Sequence, residues 1–231
     1  GFGISLSVFF ALALAQIVST SPTFDEGFTL LRGYAAWRTG HLIPLGHPPL
    51  AYSLSALGVT LEPDLPDPRT LTGWANDEYD DASRNFLWQR GLNAGRIVFL
   101  GRYPILLLGV LLGALTARWA KDLFGWRGGL LSLALHAFSP NLLAHSAVAT
   151  TDLPVAAFYT ATLYAWFRYT RRPTLARAAL TGVALGLALA AKFSALLLLP
   201  TLAVLAGIYA IRNTKHGRIA YRVSRIANRS P

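Results

Sequence analysis

The sequence predicts an all-α, polytopic integral membrane protein of about six transmembrane helices, with a large outer loop carrying amphipathic interfacial helices. Three observations predict it. First, 53% of the 231 residues are hydrophobic and only 14% are charged, where soluble domains run near 25% charged. That composition excludes a disordered tail, a nucleic-acid arm and most ordinary soluble enzymes. Second, the apolar residues gather into runs of membrane length. Third, the charges are segregated. Nine of the eleven acids lie between Asp25 and Asp81, whereas the stretch from Arg212 onward has six Lys or Arg and no acid. The net charge of +10 therefore reads as basic loops between apolar helices. Cysteine is absent, which excludes disulfides and thiolate metal sites. Methionine is absent even at position 1, so the native start is expected upstream.

A bilayer core of about 30 Å needs roughly 20 apolar residues of helix. Residues 1–20 hold no charge and form the first predicted span. Ala13-Leu14-Ala15 also resembles a signal-peptidase site, but removing this segment would leave an unpaired topology. Residues 97–119 form the second span, with Arg102 near its start and Arg118 near its end; 128–149 form the third and 153–167 the fourth. Residues 178–211 carry a single charge, Lys192. As one straight helix they would reach about 50 Å, so two short spans meeting near Lys192 fit better. This count puts the links around Arg118, Lys121 and Arg127, the links around Arg168, Arg171, Arg172 and Arg177, and the tail on one side. The positive-inside rule makes that side cytoplasmic. The chain thus divides into a first helix (1–20), an extracytoplasmic loop (21–95), helices two to six (96–211) and a basic cytoplasmic tail (212–231).

The 21–95 loop is far longer than a connection requires. Within it, 26–39 places Phe28, Leu31, Tyr34, Ala35 and Trp37 largely on one side, with Arg32 and Arg38 available to headgroups. This pattern predicts an interfacial amphipathic helix. His47-Pro48-Pro49-Leu50 starts a second short helix, proline being tolerated in a first turn. Residues 62–69 read as an irregular link and 78–92 as helical. A loop lying on the membrane suits an enzyme whose substrate is a lipid.

Each candidate site residue has a functional and a plain reading. Asp25-Glu26, just after the first span, could supply a general base or hold a divalent cation; helix capping explains the pair equally well. Asp152, with Pro154 after it, could cap the fourth span, or cap it and also serve a site, again open to a divalent cation. Lys192 and Arg102 stand at the outer ends of spans. Such charges usually face an aqueous cavity, although a lysine can also snorkel to headgroups. His47 could be a site residue or simply a polar residue before the Pro-Pro turn. His136, inside the third span, is expected to donate one internal hydrogen bond. The basic tail, with Tyr221 as its only aromatic, reads as a membrane-surface segment and not a nucleic-acid binder.

Taken in order, Asp25-Glu26, His47-Pro48-Pro49-Leu50, Gly101-Arg102-Tyr103-Pro104, Leu123-Phe124-Gly125, Ala137-Phe138-Ser139-Pro140-Asn141-Leu142-Leu143-Ala144-His145, Thr150-Thr151-Asp152-Leu153-Pro154 and Lys192-Phe193 form a series. It resembles the N-terminal half of the lipid-carrier-dependent GT-C glycosyltransferases, which include protein O-mannosyltransferases and the transferase that adds aminoarabinose to lipid A. The resemblance implies a cell (inner) membrane enzyme that takes a sugar from a polyprenyl-phosphate donor, its active face toward the periplasm or exterior. Asp25 then matches the base, with Glu26 beside it, and Asp152 matches the acid of the second outer loop. Arg102 and Lys192 match basic positions able to hold the donor phosphate. Family members are usually longer, with more spans and often a C-terminal extracytoplasmic domain. The other functional class is therefore a shortened, non-catalytic relative serving as a structural subunit among other membrane subunits. The retained Asp25, Asp152 and Lys192 favour the transferase, because a scaffold gains nothing from intramembrane charge.

Overall fold

The computed structural model describes residues 1–44, 46–89 and 91–227, so the end of the predicted tail, 228–231, lies outside the described residues. Side chains are described through Thr214, except that of Gln89. The described residues contain helices and turns and no strand. The first helix is α1 (Phe2–Ser19), followed by α2 (Phe24–Thr39), α3 (Leu50–Val59) and the short α4 (Tyr79–Arg84), which runs into a π-helical turn over Asn85–Gln89. Then come α5 (Ala94–Ala137), α6 (Pro140–Ser146), α7 (Asp152–Arg171), α8 (Leu175–Ala191) and, after a 3-10 turn over Phe193–Leu197, α9 (Leu198–Ala227).

Helix α5 is a hairpin in substance. Gly125 breaks it at φ 74° and ψ −169°, a region open essentially to glycine alone, and the chain doubles back there. After the turn, the site of a Cβ on Gly129 lies 3.0 Å from the Ala117 carbonyl oxygen, and His136 Nε2 donates to the Gly109 carbonyl at 3.1 Å. The expected internal bond of His136 is this one. Helix α1 lies along the hairpin, with the Phe9 ring 4.6 Å from the His136 ring and the Phe2 ring 4.4 Å from that of Trp126.

Among the described residues, three segments are long and apolar enough to cross a membrane: Phe2–Ser19, a stretch within Ala94–Ala137, and Phe193–Thr214. The predicted third span is not one helix. Its first part belongs to the helix that runs from 126 to 137, about 18 Å long at 1.5 Å per residue. The chain then turns at Phe138-Ser139, where Ser139 Oγ accepts the Leu142 amide and Pro140 opens α6. Helix α8 is apolar but holds 17 residues. The break expected near Lys192 is present: Lys192 ends α8 in an extended conformation (φ −160°, ψ 144°). Large apolar side chains stay exposed on α1 (Ile4, Val18), α5 (Leu107, Leu111), α8 (Leu180, Val183) and α9 (Val204, Ile208). Such a surface is suited to contact with lipid or with further helices.

The 21–95 region packs into one core with the start of α5 and with Ala149. Leu30, Leu31 and Tyr34 of α2 meet Ala56 and Val59 of α3, Phe86 and Leu87 of the π turn, Ile97 and Val98 of α5, and Ala149. Helices α2 and α3 approach so closely at Gly33 that a Cβ there would sit 2.0 Å from the Tyr52 carbonyl oxygen. Nearly every residue from Glu26 to Ala35 is buried, and the exposed residues of α2 lie at its ends, at Phe24, Asp25, Trp37 and Arg38. The helix at 26–39 is therefore enclosed on several sides, where one-sided exposure to headgroups was expected. Of the two basic residues expected there, Arg32 is buried and Arg38 is exposed.

Candidate functional site

Two charge clusters stand at the end of the bundle where α1 finishes, α2 begins and α7 begins. The first is built on the turn into α2. Thr23 caps the helix, and its amide donates to Glu26 Oε2 at 2.8 Å, so Glu26 reaches back over its own helix N-terminus. This is the reciprocal arrangement of a capping box. Glu26 is fully buried, and Arg102 of α5 meets it in two parallel bonds. Nε donates to Oε1 and Nη2 to Oε2, each at 2.7 Å. The remaining Arg102 donors go to the Ile17, Thr20 and Ser21 carbonyls and to Thr20 Oγ1. Glu26 Oε1 also accepts the Ala149 amide at 2.9 Å. One ion pair thus ties together the end of α1, the start of α2, the outer part of α5 and the segment leading into α7. Burial pushes the Glu26 carboxyl pKa up, but the bonds from Arg102 and the amides of Ala149 and Thr23 outweigh it. The net pKa lies below the ordinary carboxylate value.

The resemblance gave Arg102 a phosphate to hold and placed Glu26 in the site beside the base. Within this structure all the donors of Arg102 are already engaged by the chain, and both side chains are closed off from solvent. Asp25, one residue before Glu26, points the other way. It occupies the second position of α2, is exposed, and has no hydrogen-bond or ion-pair partner among the described residues. The adjacent carboxylates therefore separate into a buried one and a presented one.

The second cluster is at the junction of α7 and α8. Lys192 Nζ lies 2.6 Å from Asp152 Oδ1, with both side chains partly exposed. Thr151 occupies the cap position of α7, which frees the Asp152 carboxylate, at the first helical residue, for the lysine. Phe193, the residue after Lys192, puts its ring 6.1 Å from that of His47. Those two rings help line a cleft of about 180 Å³ together with Arg32, Gly46, Pro48 and Tyr52. The Arg32 guanidinium lies 4.1 Å over the Tyr52 ring, and its Nη2 donates to the Ile43 carbonyl at 2.7 Å. Among the described residues its Nη1 and the Nδ1 of His47 are buried and have no hydrogen-bond partner. Burial, and then the positive charge of Lys192, lower the His47 pKa against the opposing pull of Asp152; Arg32 lowers it further. His47 is accordingly neutral near pH 7, and its Nδ1 stands ready to exchange one hydrogen bond.

The structure thus brings Asp152, Lys192 and His47 to one neighbourhood and Glu26 and Arg102 to another, while Asp25 contacts neither set. Sequence reasoning missed Arg32 and Tyr52 as cleft residues, and no local signal marks them. It also missed Thr23, which the Thr23-x-x-Glu26 spacing could have revealed. No group of three or more His, Cys, Asp or Glu side chains converges among the described residues.

Among curated proteins and among solved structures, no significant match was found. The family model described as dolichyl-phosphate-mannose-protein mannosyltransferase matches residues 95–226, more than half of the chain. The matched stretch takes in Arg102, Asp152 and Lys192 and begins after Asp25, Glu26 and His47. An all-helical chain with membrane-length apolar helices, the ordered motif series and this match agree, and the chain belongs to the dolichyl-phosphate-mannose-protein mannosyltransferase family, within the membrane glycosyltransferases of GT-C type.

Proposed function

We propose that the protein transfers a sugar from a polyprenyl-phosphate donor to an acceptor hydroxyl at the outer face of the cell membrane. The donor phosphate would lie in the cleft lined by Arg32 and His47, beside Lys192. The observation that carries this reading is the buried Arg32 Nη1 donor and the buried His47 ring nitrogen Nδ1, neither with a hydrogen-bond partner among the described residues, lining one cleft next to a partly exposed lysine. A buried N–H left unpaired costs about 1–3 kcal/mol, and a phosphate oxygen supplies the missing acceptor. Asp25 acts as general base. It takes the acceptor hydroxyl's proton while that oxygen forms a bond to the anomeric carbon. The bond from that carbon to the phosphate oxygen breaks, and polyprenyl phosphate leaves with the electron pair. Charge on the leaving phosphate grows in the transition state, so fixed cations stabilise it more than they stabilise the ground state. Glu26 and Arg102 serve by positioning, because their bonds fix the turn that presents Asp25.

Lys192→Gln is expected to slow transfer and to weaken polyprenyl-phosphate binding by about tenfold or more, the scale of one hydrogen bond to a charged group. Stability should change less, since the lysine is partly exposed. The measurement is competition between polyprenyl phosphate and bulk phospholipid. If the wild-type protein shows no preference for polyprenyl phosphate, the donor-site reading is wrong.

The membrane arrangement that goes with this reading has six spans, with both chain ends and the basic links in the cytoplasm and 21–95 outside. With no native cysteine, single-cysteine mapping is clean. A membrane-impermeant thiol reagent applied to intact cells is expected to label Asp64→Cys and to spare Arg172→Cys. Labelling of the latter would overturn the topology.

A further inference from the structure

A second pocket lies at the N-terminal end of α2. It encloses about 290 Å³, at the small end of ligand-sized cavities. Phe24, Phe28 and Trp88 form its aromatic walls, and Asp80, Ser83 and Arg84 of α4 its polar side. Phe24 is 91% exposed and Trp88 60%, so neither ring stands there to fill the core. Arg84 is paired with Asp81, and the Ser83 hydroxyl donates to the Asp80 carbonyl at 2.9 Å. The Asp80 side chain itself is exposed.

Phe28 joins this pocket to the donor cleft. Residues three and four apart are neighbours on a helix face, and Asp25, Phe28 and Arg32 follow at those spacings along α2. Phe28 lines the second pocket, and the Arg32 guanidinium, which lines the donor cleft, lies 5.3 Å from its ring. Asp25 thus stands on the stripe that runs from one pocket to the other. From Asp25 to Arg32 the helix axis advances about 10 Å. Two hydrogen bonds of about 2.8 Å and a reacting contact of about 3 Å fill most of that span. The spacing suits a base, an acceptor oxygen, an anomeric carbon and a phosphate in line.

We infer that this pocket holds the acceptor, and that the acceptor is a neutral sugar ring. The inference rests on the transfer reading above and names the class of its second substrate. The apolar C–H face of the ring stacks on Trp88 beside Phe24, its hydroxyls donate to the Asp80 carboxylate, and the hydroxyl to be glycosylated turns toward Asp25. Three observations select this class. Asp25 and Asp80 carry negative charge while the guanidinium of Arg84 is already neutralised by Asp81, so an anionic acceptor is repelled. An extended peptide is held chiefly by main-chain bonds to an open strand edge, and the described residues hold no strand. The volume admits a small ring and not a polypeptide segment.

The experiment is saturation-transfer NMR on the full-length protein in lipid nanodiscs. Methyl glucoside and methyl mannoside are the sugar probes, and a threonine tripeptide blocked at both ends is the hydroxyl control. Polyprenyl-phosphate binding is measured on the same samples. Wild type is expected to bind the glycosides and not the tripeptide. Trp88→Ala should weaken glycoside binding about threefold to tenfold, the scale of one aromatic contact. Trp88→Tyr should keep most of it, which separates a lost ring from a failure to fold. Asp80→Ala should cost about tenfold, as for a hydrogen bond to a charged group, and Asp80→Asn, which keeps an acceptor oxygen, should recover part. Trp126→Ala, at the hairpin turn far from the pocket, should change binding less than about twofold. Polyprenyl-phosphate binding should hold steady in all of these variants, so a lost acceptor and a lost donor are separate results. A wild type that binds polyprenyl phosphate but no glycoside would overturn the inference and leave the donor reading intact. So would a Trp88-dependent tripeptide signal in place of the sugar signal. A Trp88-dependent glycoside signal without any polyprenyl-phosphate preference would overturn the donor reading and, with it, the acceptor role of the pocket.

Discussion

Arg102→Gln is expected to destabilise the protein by about 3–5 kcal/mol, the range for breaking a buried ion pair by removing one partner. The loss is large because the arginine does more than neutralise Glu26. Its donors also satisfy three carbonyls at the end of α1, and truncation leaves those acceptors without it and a fully buried carboxylate without its counter-charge. Thermal unfolding in detergent should fall by on the order of 10 °C. Arg102→Lys should recover only part, since an ammonium keeps the charge but cannot make the fork-shaped contact. The double change Arg102→Leu with Glu26→Leu should be milder than Arg102→Gln, because no lone charge is left buried. A double variant as unstable as the single one would show that the carbonyl contacts, and not the stranded carboxylate, carry the effect.

The pair also predicts a pH dependence. The Glu26 carboxyl has a folded-state pKa below its ordinary 4.5. Its contribution to stability is therefore fully present above the unfolded value and is lost as pH falls through the folded one. Wild-type stability from this group should be flat at neutral pH and decline only in acid below about pH 4.5. In Arg102→Gln the Arg102 bonds that hold the pKa down are gone while burial still pushes it up, so the acid-side loss from this group should shrink or reverse.

The features legible in the sequence were those that local chemistry decides. A lone lysine in a long apolar run marks the break between α8 and α9, because a single helix of that length overshoots the bilayer. Leu123-Phe124-Gly125 marks the hairpin turn because only glycine adopts the backbone geometry found at Gly125. Asp25-Glu26 was legible as a pair, but its division into buried and exposed members was not. That depends on Arg102, 76 positions away from Glu26, and on the capping box formed with Thr23. Arg32 was misread for a related reason. The α2 pattern has an apolar side and a basic side, which resembles an interfacial helix, but α3 and the π turn cover what solvent or headgroups would otherwise touch. Packing of that kind is long-range, and no periodicity in 26–39 records it. The interruption of the third predicted span did have a local signal, Ser139 followed by Pro140, a cap residue and a first-turn proline. The unbroken hydropathy around it concealed that signal.

Asp25→Asn in the complete, active protein is expected to lower sugar transfer by about 10²–10⁴-fold, the usual contribution of a positioned general base, with little change in folding. The structure sharpens this test. Asp25 is exposed, has no partner among the described residues and sits at the second position of α2, where Thr23, not Asp25, is the cap. Its only structural value is the favourable placement of a negative charge near a helix N-terminus, about 0.3–1 kcal/mol, so thermal unfolding of Asp25→Asn should shift by a few degrees at most. Glu26→Gln provides the contrast, for there activity and stability should fall together as the clamp loosens and the turn that presents Asp25 moves. A purely structural acidic motif predicts the reverse ranking, with Glu26→Gln damaging and Asp25→Asn silent. If Asp25→Asn keeps turnover within a few-fold of wild type while unfolding at the same temperature, the base must be sought elsewhere. Asp152 would then be the next carboxylate to test, because it alone of the remaining candidates stands beside the cleft and is partly open to solvent.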